Sequence, residues 1–302
     1  MTQTPSTRMA WANSATSTTS TTLAGWTPWT REDARACICL PTDQDHKYTR
    51  GVLGVVTGSR QYPGAAVLTT AAAVATGLGM VRYYPTAALA ALVLQRSPEV
   101  VVAPGRVHAW LLGSGVAPPG GWSLAHGLRH RQMAQTCSTC APTVLDAGAL
   151  YLAGTLRAPT VITPHAGELA VLFKAHGVDT SPREITADPQ AWALRAHRLC
   201  AATVLLKGAQ TVVACEGVCI ALPAATPWLA TAGTGDVLAG IVGALVASHH
   251  AELAGNPALL GRLAATGAYL HARAADLASD GAPLTATSLI AAIAPALRGI
   301  LQ

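Results

Sequence analysis

Gly51-Val52-Leu53-Gly54-Val55-Val56-Thr57-Gly58-Ser59 is an apolar run ending in a glycine-containing turn, and an alanine-rich helical pattern follows at residues 65–76 before Gly77 and Gly79 stop it. A strand apolar at every position has both faces covered, which is the habit of parallel sheets buried between helices. The same alternation continues down the chain. Strand-like runs recur at residues 99–103, 109–112, 143–146, 160–163, 203–206, 211–214 and 218–222. Helical patterns fall at 86–95, 122–135, 167–175, 189–201, 235–248, 257–278 and 285–301. The expected fold is therefore α/β: a three-layer α/β/α sandwich around a mostly parallel sheet. The closely spaced runs from 203 to 222 read as a strand and a hairpin at one sheet edge, and no repeat or linker divides the region.

The 302 residues are 51% apolar and 12% charged, enough material for a large core. Net charge is +5 without a block of basic residues, so no nucleic-acid partner is expected, whereas a small anionic ligand is compatible with it. A membrane span is not expected either. The charge-free stretch 61–81 is broken by Pro63, Gly64, Gly77 and Gly79, and the stretch 217–235 by Pro223 and Pro227. Seven cysteines in a chain this long do not form a disulfide framework and suit a reducing cytoplasm. Residues 1–30, with the run Ser14-Ala15-Thr16-Ser17-Thr18-Thr19-Ser20-Thr21-Thr22, read as a disordered Ser/Thr-rich leader, and residues 31–302 as the folded domain.

The chemistry concentrates in Leu229-Ala230-Thr231-Ala232-Gly233-Thr234-Gly235-Asp236, which runs into an apolar helix. Glycines on either side of a threonine let backbone amides approach a ligand, and the helix start adds positive potential, so the turn suits a phosphoryl group. An acidic residue in an anion hole repels phosphate unless it takes a proton from the attacking hydroxyl. A plain Thr or Asp helix cap explains any one of these residues, but not two glycines in one turn.

Gly233-Thr234-Gly235-Asp236 resembles the Gly-x-Gly-Asp signature of ribokinase-like kinases. Four further segments resemble the ADP/ATP-dependent NAD(P)H-hydrate dehydratases of that superfamily: Val161-Ile162-Thr163-Pro164-His165-Ala166-Gly167-Glu168-Leu169, Leu206-Lys207-Gly208-Ala209-Gln210-Thr211, Asp146-Ala147-Gly148-Ala149-Leu150, and Thr57-Gly58-Ser59 through Pro63-Gly64-Ala65-Ala66. They occur in the family's order over residues 47–301. The resemblance implies a repair reaction in which the C6 hydroxyl of the S form of hydrated NADH or NADPH is phosphorylated from ADP or ATP, with Mg²⁺, and phosphate is then eliminated. It implies Asp236 as general base and the turn of Gly233, Thr234 and Gly235 as the phosphoryl-holding group. Ala65, Gly115, His165 and Asp236 would meet the hydrated dinucleotide; Lys207, Gly208, Ala209, Gln210, Thr211 and Gly235 would meet the nucleotide.

Two departures from the family pattern stand out. Ser114 replaces a proline in Gly113-Ser114-Gly115, which puts the rigidity of that loop in question, and Ala166 replaces the proline after His165. Glu168 is compatible with helix-dipole compensation or with a water on Mg²⁺, and Asp146 with a cap or a substrate-side role. The resemblance further implies a homo-oligomer, a tetramer, working with an NAD(P)H-hydrate epimerase on a separate chain, since the residues ahead of the matched region are too few to hold that domain. A small-molecule kinase of the hydroxyethylthiazole kinase type, or a non-catalytic nucleotide-binding protein, remains the alternative. No metal site is expected in the protein itself: Cys137-Ser138-Thr139-Cys140, Cys37/Cys39 and Cys215/Cys219 lack partners at zinc-site spacing; His249-His250 and His126/His130 are residues that could touch a metal, the second pair reading as an exposed helix face. Tyr269-Leu270-His271-Ala272-Arg273 reads as helix packing.

Overall fold

The computed structural model describes residues 25–119, 124–136 and 139–302. Its strands are β1 (Thr27–Pro28), β2 (Val52–Val56), β3 (Met80–Tyr83), β4 (Ala109–Leu112), β5 (Thr143–Leu145), β6 (Thr160–Ile162), β7 (Thr203–Leu206), β8 (Val212–Cys215) and β9 (Val218–Ala221). The helices are α1 (Arg31–Arg35), α2 (Pro63–Ala75), α3 (Ala87–Arg96), α4 (Leu124–Thr136), α5 (Ala166–Ala175), α6 (Pro182–Ala187), α7 (Pro189–Cys200), α8 (Thr234–Ser248), α9 (Pro257–Ser279) and α10 (Ala286–Leu301). The strands form one sheet in the order β1-β9-β8-β7-β6-β5-β4-β2-β3. Pairing is parallel from β3 through β7, and β8 runs antiparallel to both its neighbours.

Alternation along each strand divides the core. Leu53, Val55, Leu111, Val144, Val161, Leu205 and Val213 face α2, α8, α9 and α10. Val56, Leu112, Leu145, Ile162, Val204, Leu206 and Val212 face the layer that holds α5 and α7. This is the expected three-layer sandwich, and it explains why the strands read as apolar throughout. Helices α2 and α8 approach closely at Gly240, where an added Cβ would lie 2.5 Å from the Thr69 carbonyl oxygen. Gly240→Ala must push the helices apart; we expect about 1–3 kcal/mol of destabilisation, read as a Tm several degrees lower in a thermal melt.

Two strand expectations are corrected. Met80–Tyr83 is a strand that the sequence hid, because Arg82 interrupts the apolar run; its guanidinium reaches over the sheet edge to donate to the Ala103 carbonyl at 2.9 Å. Residues 99–103, read as a strand, contribute only an isolated bridge between Val101 and Arg82, in a segment flanked by Pro98 and Pro104. Residues 25–30, assigned to the leader, are built into the fold: β1 pairs with β9, Trp29 is buried and Thr30 caps α1. The buried Trp29 ring, under the Arg262 guanidinium, supplies the apolar area that the Ser/Thr run lacks. Residues 1–24 lie outside the described residues. Among the described residues no helix is long and apolar enough to cross a membrane.

Candidate active site

The carboxyl ends of β2, β4, β5, β6 and β7 all point to one end of the sheet, where open α/β folds bind ligands. Asp146 follows β5 and is buried at the centre of a hydrogen-bond cluster. Its Oδ2 accepts from the Ser114 hydroxyl at 2.8 Å, and its Oδ1 accepts from the Thr163 hydroxyl at 2.8 Å and from Lys207 Nζ at 3.1 Å. Ser114 thus fastens the loop after β4 through its side chain, in the place where the sequence lacks a rigidifying proline. The Gly58 amide adds a 2.7 Å bond to the Ser114 carbonyl, tying the turn after β2 to the same loop.

Lys207 directly follows β7, and its amide bonds to the Pro164 carbonyl at 2.8 Å. Besides Asp146, its ammonium faces Glu168 at 3.6 Å. Burial pulls the Lys207 pKa down, but the charges of Asp146, Glu168 and Asp236 outweigh it and leave the pKa raised. Lys207 therefore remains a cation in a cluster of carboxylates. It also stands beside the glycine turn: a Cβ on Gly235 would lie 3.7 Å from its Nζ.

Helix α8 begins at Gly233, which has φ +90° and makes no side-chain cap. Any Cβ there would strain the left-handed backbone and meet the Leu68 side chain at 2.7 Å. The cap is therefore Gly233 itself. The Thr234 hydroxyl turns away to donate to the carbonyls of Leu229 and Thr231, and Asp236 sits in the first turn. The leading amides of an α-helix have no partner within it, and here no side chain caps them. From behind, the buried His271 imidazole donates Nε2–H to the Thr234 carbonyl at 2.9 Å. Burial, helped by the charge of Lys207, holds that histidine near pKa 4, hence neutral. The sequence read His271 as packing; its role in bracing this turn shows only in the fold.

Asp236 is the perturbed carboxylate of the site. Burial, and then the charge of Asp146, raise its pKa to about 7, against the opposing pull of Lys207. A carboxylate balanced there takes and releases a proton at neutral pH.

The remaining expected residues ring this centre. Ala65 lies in the first turn of α2, buried, against Gly115, where an added Cβ would come 2.3 Å from the Ala65 Cβ. His165 caps α5: its Nδ1 accepts from the Gly167 and Glu168 amides at 3.0 and 3.3 Å, while Glu168 answers by accepting from the His165 amide at 2.9 Å. The imidazole is exposed, and its Nε2 lies 3.6 Å from the Glu168 carboxylate. Gly208, Ala209 and Gln210 are exposed on the turn after Lys207, and Thr211 is partly buried at its end.

The mostly parallel α/β/α sandwich is the ribokinase-like fold, shared with a ribokinase-like superfamily protein from Enterococcus faecalis at a TM-score of 0.74 and 21% identity over 92% of this chain and 98% of that one. A family model described as NAD(P)H-hydrate dehydratase matches residues 53–295. The chain belongs to the NAD(P)H-hydrate dehydratase family. It is 34% identical over 275 residues to an ADP-dependent (S)-NAD(P)H-hydrate dehydratase from Neisseria meningitidis, covering 85% of this chain and 86% of that one. It is 44% identical over 224 residues to a bifunctional NAD(P)H-hydrate repair enzyme from Mycobacterium tuberculosis, covering 69% of this chain and 43% of that one. The chain spans about half the length of the bifunctional relatives it matches. The structure of an ADP/ATP-dependent NAD(P)H-hydrate dehydratase from Bacillus subtilis has the same fold, with a TM-score of 0.77 at 24% identity over 92% of this chain and 99% of that one.

Proposed function

We propose that this chain dehydrates the S form of hydrated NADH and NADPH, using ADP as phosphoryl donor and releasing AMP and phosphate. The observation that carries this reading is Asp236, a carboxylate with its pKa near 7 in the first turn of an uncapped helix. Hydroxide is a poor leaving group and phosphate a good one. Asp236 takes the proton of the C6 hydroxyl, whose oxygen attacks the terminal phosphoryl group of the nucleotide. The amides that follow Gly233 receive the charge that develops on the transferring group. The C6–O bond then breaks, pushed by the lone pair of the ring nitrogen, and loss of the C5 proton restores the double bond. Lys207 and the turn 208–211 hold the nucleotide; Ala65, Gly115 and the exposed imidazole of His165 line the dinucleotide side.

Mg²⁺ fits the site through Glu168, which keeps a partly exposed carboxylate, while the Asp146 oxygens are already taken by Ser114, Thr163 and Lys207. Bound chiefly through nucleotide phosphates, it would supply charge neutralisation, with Glu168 orienting one of its waters. The name of the Neisseria relative supports ADP as the donor. The bifunctional relatives' names support a role in NAD(P)H-hydrate repair, and a functional link to an NAD(P)H-hydrate epimerase is part of the proposal. A cytoplasmic homotetramer completes the proposal.

The test is to incubate the protein with hydrated NADH, Mg²⁺ and either ADP or ATP while following the absorbance of restored NADH. Faster recovery with ADP is the expected result. A kinase would consume nucleotide and leave a phosphorylated hydrate without restoring absorbance, and a binding protein would do neither. The same assay reads pH dependence. Since the base must be ionised, kcat should rise with pH through about 7, where Asp236 titrates, and fall roughly tenfold per unit below it.

A further inference from the structure

At the opposite end of α8 from Asp236, the fold assembles a thiol, an imidazole and a carboxylate that the reaction does not use. Cys39 Sγ lies 3.1 Å from His249 Nε2. Glu252 closes the group, with one ligand atom from each of the three residues lying within 4.8 Å of the others. Sequence spacing left Cys39 without a partner; its partner lies 210 residues further along the chain.

The histidine is set up for coordination. His249 Nδ1 is 2.9 Å from the Leu245 carbonyl oxygen, which can only accept, so Nδ1 carries the proton and Nε2 presents its lone pair to Cys39. A ring nitrogen fixed by a backbone carbonyl while the other faces a thiol is the outer-shell pattern of metal-ligating histidines. His249 is buried, whereas Cys39 and Glu252 are exposed. Cys39 and Glu252 line a cavity of about 280 Å³ with Asp45 and Arg50, so solvent and an ion can reach the group. The Arg50 guanidinium is occupied by the Gly77 carbonyl.

We propose that Cys39, His249 and Glu252 bind Zn²⁺, with water at the fourth position. Thiolate, imidazole and carboxylate together select zinc over Mg²⁺ or Ca²⁺. Zn–S of about 2.3 Å and Zn–N of about 2.0–2.1 Å set tetrahedral ligands roughly 3.5 Å apart, so side-chain rotations suffice to close the site. Binding releases the thiol proton to solvent and leaves the imidazole tautomer unchanged. The ion would clamp the segment between α1 and β2 to the end of α8. At 1.5 Å per residue this is on the order of 20 Å from Asp236, so its role is to hold structure and not to take part in the chemistry.

The test uses the full chain, stripped with a chelator, dialysed and titrated with Zn²⁺, then with Co²⁺ as a spectroscopic substitute. The expected result is stoichiometric zinc, a Tm raised by roughly 5 °C or more at a hundredfold excess over Kd, and a thiolate-to-cobalt charge-transfer band. Cys39→Ser should abolish the band, and Glu252→Gln, an exposed change that leaves packing intact, should weaken zinc binding about tenfold or more. Cys219→Ser should keep both signals. Substoichiometric zinc without a thermal shift, or a cobalt band that survives Cys39→Ser, would overturn the proposal.

Discussion

Asp236→Asn should lower kcat on the order of 10²–10⁴-fold and, measured on the same preparation at pH 8, raise Tm. The loss of rate follows from removing the proton acceptor while keeping the shape of the side chain. The gain in stability follows from linkage. The folded chain holds Asp236 at about 7, above its ordinary value of 3.8. A carboxyl group raised in this way stabilises the fold fully below its unfolded pKa, and that contribution disappears as pH rises through 7. At pH 8 the wild type therefore folds around a charge that its surroundings disfavour. A shift of this size corresponds to an upper limit of roughly 4 kcal/mol, reduced by the solvent that still reaches the group. A Tm increase of several degrees at pH 8, shrinking towards pH 4, is the expected pattern. Were Asp236 present only to complement the dipole of α8, Asn would lower Tm and spare kcat. Wild-type kcat in the variant would remove Asp236 from the mechanism.

Lys207→Ala is the second large effect. The ammonium sits between Asp146 and Glu168, at 3.1 and 3.6 Å. Its loss leaves their charges facing each other and removes the pull that lowers the Asp236 pKa. Three consequences follow together. The KM for the nucleotide should rise on the order of 10- to 10³-fold, far more than that for hydrated NADH. The acid limb of the pH–rate profile should move to higher pH, because Asp236 binds its proton more tightly. Tm at pH 8 should fall, since the buried Asp146 carboxylate loses its counter-ion while keeping the Ser114 and Thr163 hydroxyls. Equal changes in both KM values would refute the nucleotide-side assignment, and an unmoved acid limb would uncouple Lys207 from the base.

Sequence alone determined the parallel three-layer sheet, because a strand buried on both faces must be apolar at every position, as in Val52-Leu53-Gly54-Val55-Val56. It also determined the glycine-opened turn at the start of α8, because the left-handed backbone at Gly233 and the start of the helix after it are local properties of a few consecutive residues. Edge pairing was not legible: β3 carries Arg82, and what makes it a strand is the neighbour it finds in β2. The state of the site was not legible either. The pKa of Asp236 depends on burial and on Asp146, which precedes it by ninety positions in the chain. The loop containing Ser114 is held by a hydroxyl bond to that same aspartate, although its sequence lacks the proline that would stiffen it locally. Cys39 meets His249 only because α8 carries the histidine to the end of the sheet where β2 begins. Backbone conformation and burial pattern are written residue by residue, whereas charge balance and ligand geometry are sums over groups that only the tertiary structure brings within a few ångströms.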